Sequence, residues 1–197
     1  MRLWSIQPRL LWDQLEQEGA ISGNPAFVWP EFWHAYDWMM VQMRHRIRPS
    51  PRPGMLPMWA WARWTGTQTR PDLRSRGHLE SGTSGVRLEF DVDPARVLLS
   101  DFELWHYVLG YWYLAANDAE DVYVDAALTA KRLDPFRQKL LADDYWHRQI
   151  LASWERIFDL QGTTIKRGWP PEHKSIQAVL WEIRREDVRR VQFFVAR

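Results

Sequence analysis

The chain has 197 residues, 46% hydrophobic and 26% charged, a balance that excludes disorder as the default and suits one domain with one core. It has no cysteine, which excludes disulfides, thiolate metal sites and cysteine nucleophiles. No apolar run reaches the roughly 18–20 residues of a membrane span and the N-terminus lacks a signal-peptide core, so a cytoplasmic protein without a membrane partner is expected.

The net charge of +1 hides an uneven distribution. Residues 38–79 hold eight arginines, no lysine and one acid, whereas 117–145 hold seven acids against four bases. Arginine suits bidentate binding of phosphate or carboxylate, and an excess of 22 arginines over four lysines fits an anionic partner. A coding bias or a warm-growing host accounts for the same ratio. Fourteen tryptophans exceed what a core of this size needs, which leaves one or two to stack on a flat ligand.

In chain order, residues 2–7 alternate and predict a strand, followed by a helix with Pro8 in its first turn, Leu11, Trp12 and Leu15 on its buried side and Gly19 at its end. A long second helix is predicted over 30–47, with Phe32, Tyr36, Met39, Met43 and Ile47 as its apolar stripe. His34 and His45 lie three turns apart on it, too far to share a metal, and no metal site is expected. The proline-rich 49–54 is a stiff connector. Residues 57–64 alternate as a strand, with Trp59 and Trp61 on one face and Met58, Ala60 and Ala62 on the other. That arrangement suits either a flat ligand or close helix packing. Residues 65–85 form a long polar loop carrying Arg70, Asp72, Arg74, Arg76 and His78, a composition able to hold a phosphate or carboxylate.

The central stretch, 86–112, reads as a strand over 86–92, an Asp93-Pro94 break, a short strand at 97–99 and a helix from about Asp101. Ser100 and Glu103 have capping-box spacing. Helices are predicted over 122–133 and 134–160, then a second polar loop over 161–175. A strand over 176–183, a charged turn and a last strand over 191–195 close the chain. This ending echoes the central stretch in its order of strand, acidic turn, valine and strand. There is no GxGxxG, P-loop, HExxH or GxSxG motif, and no helix-turn-helix or RNA-binding signature.

Six ordered motifs carry a resemblance: LWSIQP at the start, AYDWM, MWAWARW followed by RPDLR, LLSDFELWHYVL, SWERIFD, and IQAVLWEI with VQFF at the end. Over nearly the full chain these resemble the bacterial domain of unknown function 3841 family. Residues 117–148 look longer than that family requires and are expected to be a peripheral helical insertion whose removal leaves the sheet folded. More distantly, the order of elements is similar to the DarT-type ADP-ribosyltransferases that modify DNA. Those enzymes carry a catalytic glutamate at the start of a late strand. The matching position here holds Gln177, with Glu182 five residues on and on the opposite strand face.

The expectation is therefore a single α+β domain over 1–197, with a mixed or antiparallel sheet, packed helices and an ADP-ribosyltransferase-like arrangement. Gln177, Glu182 and His106 are the candidate catalytic residues. Gln7, Trp59, Trp61, Arg70, Asp72, Arg74, Asp101 and Trp105 are candidates to hold NAD or another nucleotide, because a helix start offers free amides, the loop guanidinium groups and an indole a stacking face. Two functions stay open on sequence: a nucleotide- or NAD-binding, ADP-ribosyltransferase-like enzyme acting on nucleic acid, or a non-catalytic Trp/Arg-rich binding protein for a protein or nucleic-acid partner.

Overall fold

The computed structural model of the chain describes residues 1–66, 68–135, 137–138, 142–162 and 170–197. The strands are β1 (Arg2–Pro8), β2 (Ala20–Ile21), β3 (Met58–Arg63), β4 (Ser84–Asp91), β5 (Leu98–Asp101), β6 (Ile176–Leu180), β7 (Ile183–Arg184) and β8 (Val188–Val195). The helices are α1 (Arg9–Glu18), α2 (Trp33–Arg46), α3 (Phe102–Gly110), α4 (Asp118–Ala130) and α5 (Asp144–Ser153). Six strands form one antiparallel sheet in the order β5-β6-β3-β1-β4-β8, and β2 and β7 form a separate ribbon. The domain is α+β, and its sheet is wholly antiparallel rather than mixed.

Strand alternation sorts this chain into two cores. On one face Leu3, Met58, Ala60, Leu88, Phe90, Ala178 and Leu180 pack with Trp12 and Leu15 of α1 and with Ile21 and Ile183 of the ribbon. On the other face Leu98 and Val179 pack with Trp105 and Val108 of α3, Met39 and Met43 of α2, and Trp154. Register places Trp4 opposite Trp61, and Trp61 opposite Gln177, on this second face.

β4 and β5 run in the same direction yet lie four places apart, joined by residues 92–97 alone. Six extended residues reach about 20 Å, and strands four places apart in a flat sheet are already about 19 Å apart before any strand length is retraced. The sheet must therefore curl. The β6-to-β8 passage repeats the geometry in reverse, so β4 lies beside β8 and β5 beside β6, and the two echoing segments hold equivalent places. Each crossover contains a 3-10 turn, Pro94–Arg96 and Arg185–Asp187, and Arg96 Nη1 to Asp187 Oδ2 at 2.8 Å ties them together.

Several boundaries differ from expectation for physical reasons. The strand expected over 176–183 breaks after Leu180, because Ile183 leaves the sheet to pair with Ile21. α2 buries Ala35, Trp38, Met39, Gln42 and Met43, so its inner side centres on Trp38 rather than on Phe32 and Ile47. α3 begins at Phe102, and its cap is Asp101 rather than Ser100. In place of one helix from Asp134, the described residues give α5 from Asp144, capped by Asp143, and a 3-10 turn at Trp154–Phe158. Part of that expected helix, and residues 163–169 of the second polar loop, lie outside the described residues. No helix among the described residues is long and apolar enough to cross a membrane.

We propose that 117–148 is an insertion, since both its helices, α4 and the first half of α5, lie outside the sheet. Its removal carries a cost, because Val124, Leu128 and Trp146 are buried in the cluster that holds Trp154. Excision with a short linker is expected to keep a cooperative melt but to lower stability by at least about 3 kcal/mol, the order of one large core truncation. An insoluble or non-cooperative product in far-UV melting would reject the insertion.

At the sheet's outer end Arg2 donates to Asp91 at 2.9 and 3.0 Å and to Glu89 at 2.9 Å. The Arg2 guanidinium, with Arg189, holds the Asp91 carboxyl down at about 2. A depressed folded value stabilises the fold above the unfolded pKa, near 3.8, and that contribution is lost as pH falls through about 2. Stability measured by urea unfolding from pH 5 to 2 should fall less steeply in Arg2→Gln than in the parent. Equal slopes would show that the pair contributes nothing.

Candidate functional site

Where the ends of β1, β3 and β6 meet the start of α3, the second sheet face is left uncovered by helix and forms a cleft of about 380 Å³. Ile6 and Gln7 of β1, Trp59 and Trp61 of β3, Gln177 of β6, Tyr36 of α2 and Phe102, Trp105 and His106 of α3 line it, with Trp64 and His78 from the long loop. Trp61 sits edge-on to both Phe102 and Trp64 at ring separations of 4.7 Å, and Trp59 meets Trp105 at 4.9 Å. Trp64 in turn meets His78 at 4.8 Å, so one aromatic wall runs from α3 across the sheet into the loop.

Polar groups in this cleft are neutral amides, a hydroxyl and two imidazoles. Gln177 Nε2 donates to Ser100 Oγ at 3.0 Å, which is why Ser100 does not cap α3. Gln7 Nε2 donates to Ser5 Oγ at 2.8 Å, and that hydroxyl donates to the Trp59 carbonyl at 2.8 Å. The Trp59 Nε1 proton is buried without a hydrogen-bond partner at full geometry. Burial pushes the Tyr36 hydroxyl pKa up, and its interaction with Trp59 offsets part of that rise. His106 is exposed at the rim, and its Nδ1 donates to the Phe102 carbonyl at 3.1 Å, which leaves Nε2 as the acceptor of the neutral ring.

Asp101, expected among the residues that hold a ligand, lies below this surface, fully buried. Its Oδ1 accepts from the Glu103 and Leu104 amides at 2.9 and 3.2 Å, while the Phe102 amide donates to the Ser175 carbonyl at 2.9 Å. The start of α3 therefore offers no free amide at these positions. Asp101 Oδ2 faces Lys174 Nζ at 3.5 Å, and both side chains are 0% exposed. Lys174, in the stretch expected to be a polar loop, is buried and also donates to the Asp159 carbonyl at 2.9 Å. Glu182 lies away from the cleft, beyond the end of β6, where it accepts from Arg184 Nε at 2.7 Å.

Arg70, Asp72 and Arg74 line a second, larger cleft on the same sheet face, about 950 Å³, together with Arg2, Trp4, Arg87 and Arg190. Arg74 Nη2 donates to Asp72 Oδ2 at 2.7 Å, which lowers the Asp72 carboxyl to about 2. The loop between Trp64 and His78 contributes to both clefts, and His78 Nε2 donates to the Asp72 carbonyl at 2.8 Å. Gln7, Trp59, Trp61, Trp105, His106 and Gln177 thus share one cleft, with the arginine loop in the adjoining one.

The family described as Domain of unknown function (DUF3841) matches residues 2–189, nearly the whole chain. The chain belongs to that family. No curated protein and no solved structure matches it. The family match spans the aromatic cleft and every candidate residue from Gln7 to Glu182, and ends just before Arg190 and Gln192 of the arginine cleft.

Four cleft residues were not legible as such. Tyr36 sits on the stripe that reads as core, and Phe102 reads as the first residue of a helix. Arg87 and Arg190 alternate on strands like any outward charge. Only the register, which sets Arg87 opposite Gln192 and Glu89 opposite Arg190 on the face of Trp4, brings them to one place.

Proposed function

We propose that the aromatic cleft binds a planar ligand of the nucleotide class, with NAD as the candidate cofactor. The observation that supports this is the character of the lining: indole and phenyl rings beside the neutral amides of Gln7 and Gln177, with no carboxylate or guanidinium among the described lining residues. Stacking surfaces with neutral donors and acceptors suit base edges, and a cleft of this volume suits a small ligand.

Gln177 lies on the late strand β6, where an ADP-ribosyltransferase-like enzyme would carry a glutamate. An amide that already donates to Ser100 brings no negative charge to a developing oxocarbenium ion. His106 Nε2 is the remaining candidate base at the rim. The missing carboxylate favours binding without turnover, so a non-catalytic nucleotide- or nucleic-acid-binding protein is the second reading.

Thermal unfolding with NAD and AMP, together with a chromatographic assay of nicotinamide release, tests both readings. A ligand at 100 times its dissociation constant should stabilise the fold by about 2.7 kcal/mol. Stabilisation with no release above buffer is the expected result. Sustained release would establish catalysis, and no stabilisation by either ligand would remove the cleft as a nucleotide site.

A further inference from the structure

We infer that Arg70, Arg87 and Arg190, converging in the cleft beside the aromatic one, form a phosphate-binding site. Two of the guanidinium groups lining this cleft are already neutralised. Arg2 is held by Glu89 and Asp91, and Arg74 by Asp72. Glu89 Oε2 also accepts from Trp4 Nε1 at 3.3 Å, so both carboxylates lining the cleft, Asp72 and Glu89, are engaged. Arg70, Arg87 and Arg190 remain without a carboxylate partner among the described residues.

Arg87 is the fixed member. It is 7% exposed, and its two terminal nitrogens donate to the Pro71 carbonyl and to Gln192 Oε1, each at 2.6 Å. Burial lowers its pKa, the positive charges of Arg70 and Arg190 lower it further, and the more weakly acting carboxylates of Glu89 and Asp72 offset only part of this. Three like charges directed at one space repel unless an anion sits between them, and planar donors on rigid anchors match phosphate oxygens. The alternative, a clamp that merely holds the Pro71 loop, explains Arg87 but not the approach of Arg70 and Arg190.

Position identifies the phosphate's source. Trp4 in this cleft and Trp61 in the aromatic cleft face each other across β1 and β3, and neighbouring strands are about 4.8 Å apart. On the reading that the aromatic cleft takes a base, the same nucleotide's phosphate falls among these arginines. A nucleic-acid backbone supplies the same chemistry.

Calorimetric titration of the full chain with adenosine, AMP, pyrophosphate and a single-stranded 12-mer separates the cases, using the parent, Arg70→Gln and Arg190→Gln. Both substituted residues are exposed, and the melt should not change. AMP should bind about tenfold or more tightly than adenosine, and either variant should remove most of that advantage while leaving adenosine unchanged. Pyrophosphate binding lost in the variants, with adenosine inert, would keep the phosphate site and reject the base site. If only the 12-mer responds, the site stands with a polynucleotide backbone as the source. The phosphate site is overturned if no phosphate-bearing probe binds, or if all bind the variants as they bind the parent.

Discussion

Asp101→Ala is expected to destabilise the protein by about 3–5 kcal/mol, the cost of stranding a buried charge. Asp101 has two tasks. One oxygen caps α3 through the Glu103 and Leu104 amides, a role whose loss alone costs about 1 kcal/mol. The other balances Lys174, whose ammonium is wholly buried and keeps, among the described residues, the Asp159 carbonyl once the carboxylate is gone. Because α3 carries Phe102, Trp105 and His106 into the aromatic cleft, the damage should reach ligand binding as well. Urea unfolding followed by far-UV circular dichroism gives the number. Adding Lys174→Met to Asp101→Ala should recover part of the loss, since the orphaned charge is then removed. A single-variant loss below about 1 kcal/mol would mean that Lys174 is neutralised elsewhere.

Trp154→Ala is expected to cost about 3–5 kcal/mol through cavity formation. Trp154 is 0% exposed and meets Trp38 and Tyr111 edge-on at 5.5 and 5.7 Å. Its Nε1 donates to the Trp112 carbonyl at 2.7 Å, so truncation also removes that hydrogen bond. Trp154→Phe keeps most of the volume and should cost less than half as much. Trp154 does not line the aromatic cleft, so ligand affinity in the phenylalanine variant should match the parent. An alanine variant as stable as the parent would contradict the placing of the main helical core around this indole.

The strands were legible because alternation survives in the sequence: Trp59 and Trp61 do share a face, as do Leu88 and Phe90. The cap of α3 was not, because Ser100 and Asp101 are both good caps and only the distant Gln177 decides between them. Lys174 lies in a polar stretch, and nothing local indicates that Asp101, 73 positions away, will balance it. The same limit hid the arginine cleft, since Arg87 and Arg190 meet only through the β4–β8 register. Strand alternation marks the positions of Gln7 and Trp61, whereas Gln177 stands out in the sequence only through the resemblance to the DarT-type enzymes. The helical part resists because α5 starts at Asp144, capped by Asp143, whereas Asp134-Pro135 is the stronger helix-start signal in the sequence.

The planar base proposed above would lie on the sheet face between β1, β3 and β6. Calorimetric titration of adenosine into the parent and into Trp61→Ala tests this placement most directly, because adenosine carries no phosphate and Trp61 lies at the middle of the aromatic wall. Base–indole stacking contributes about 1–3 kcal/mol, so the variant should bind adenosine about tenfold or more weakly while still unfolding cooperatively. Adenosine that fails to bind the parent, or binds both proteins equally, would contradict this placement.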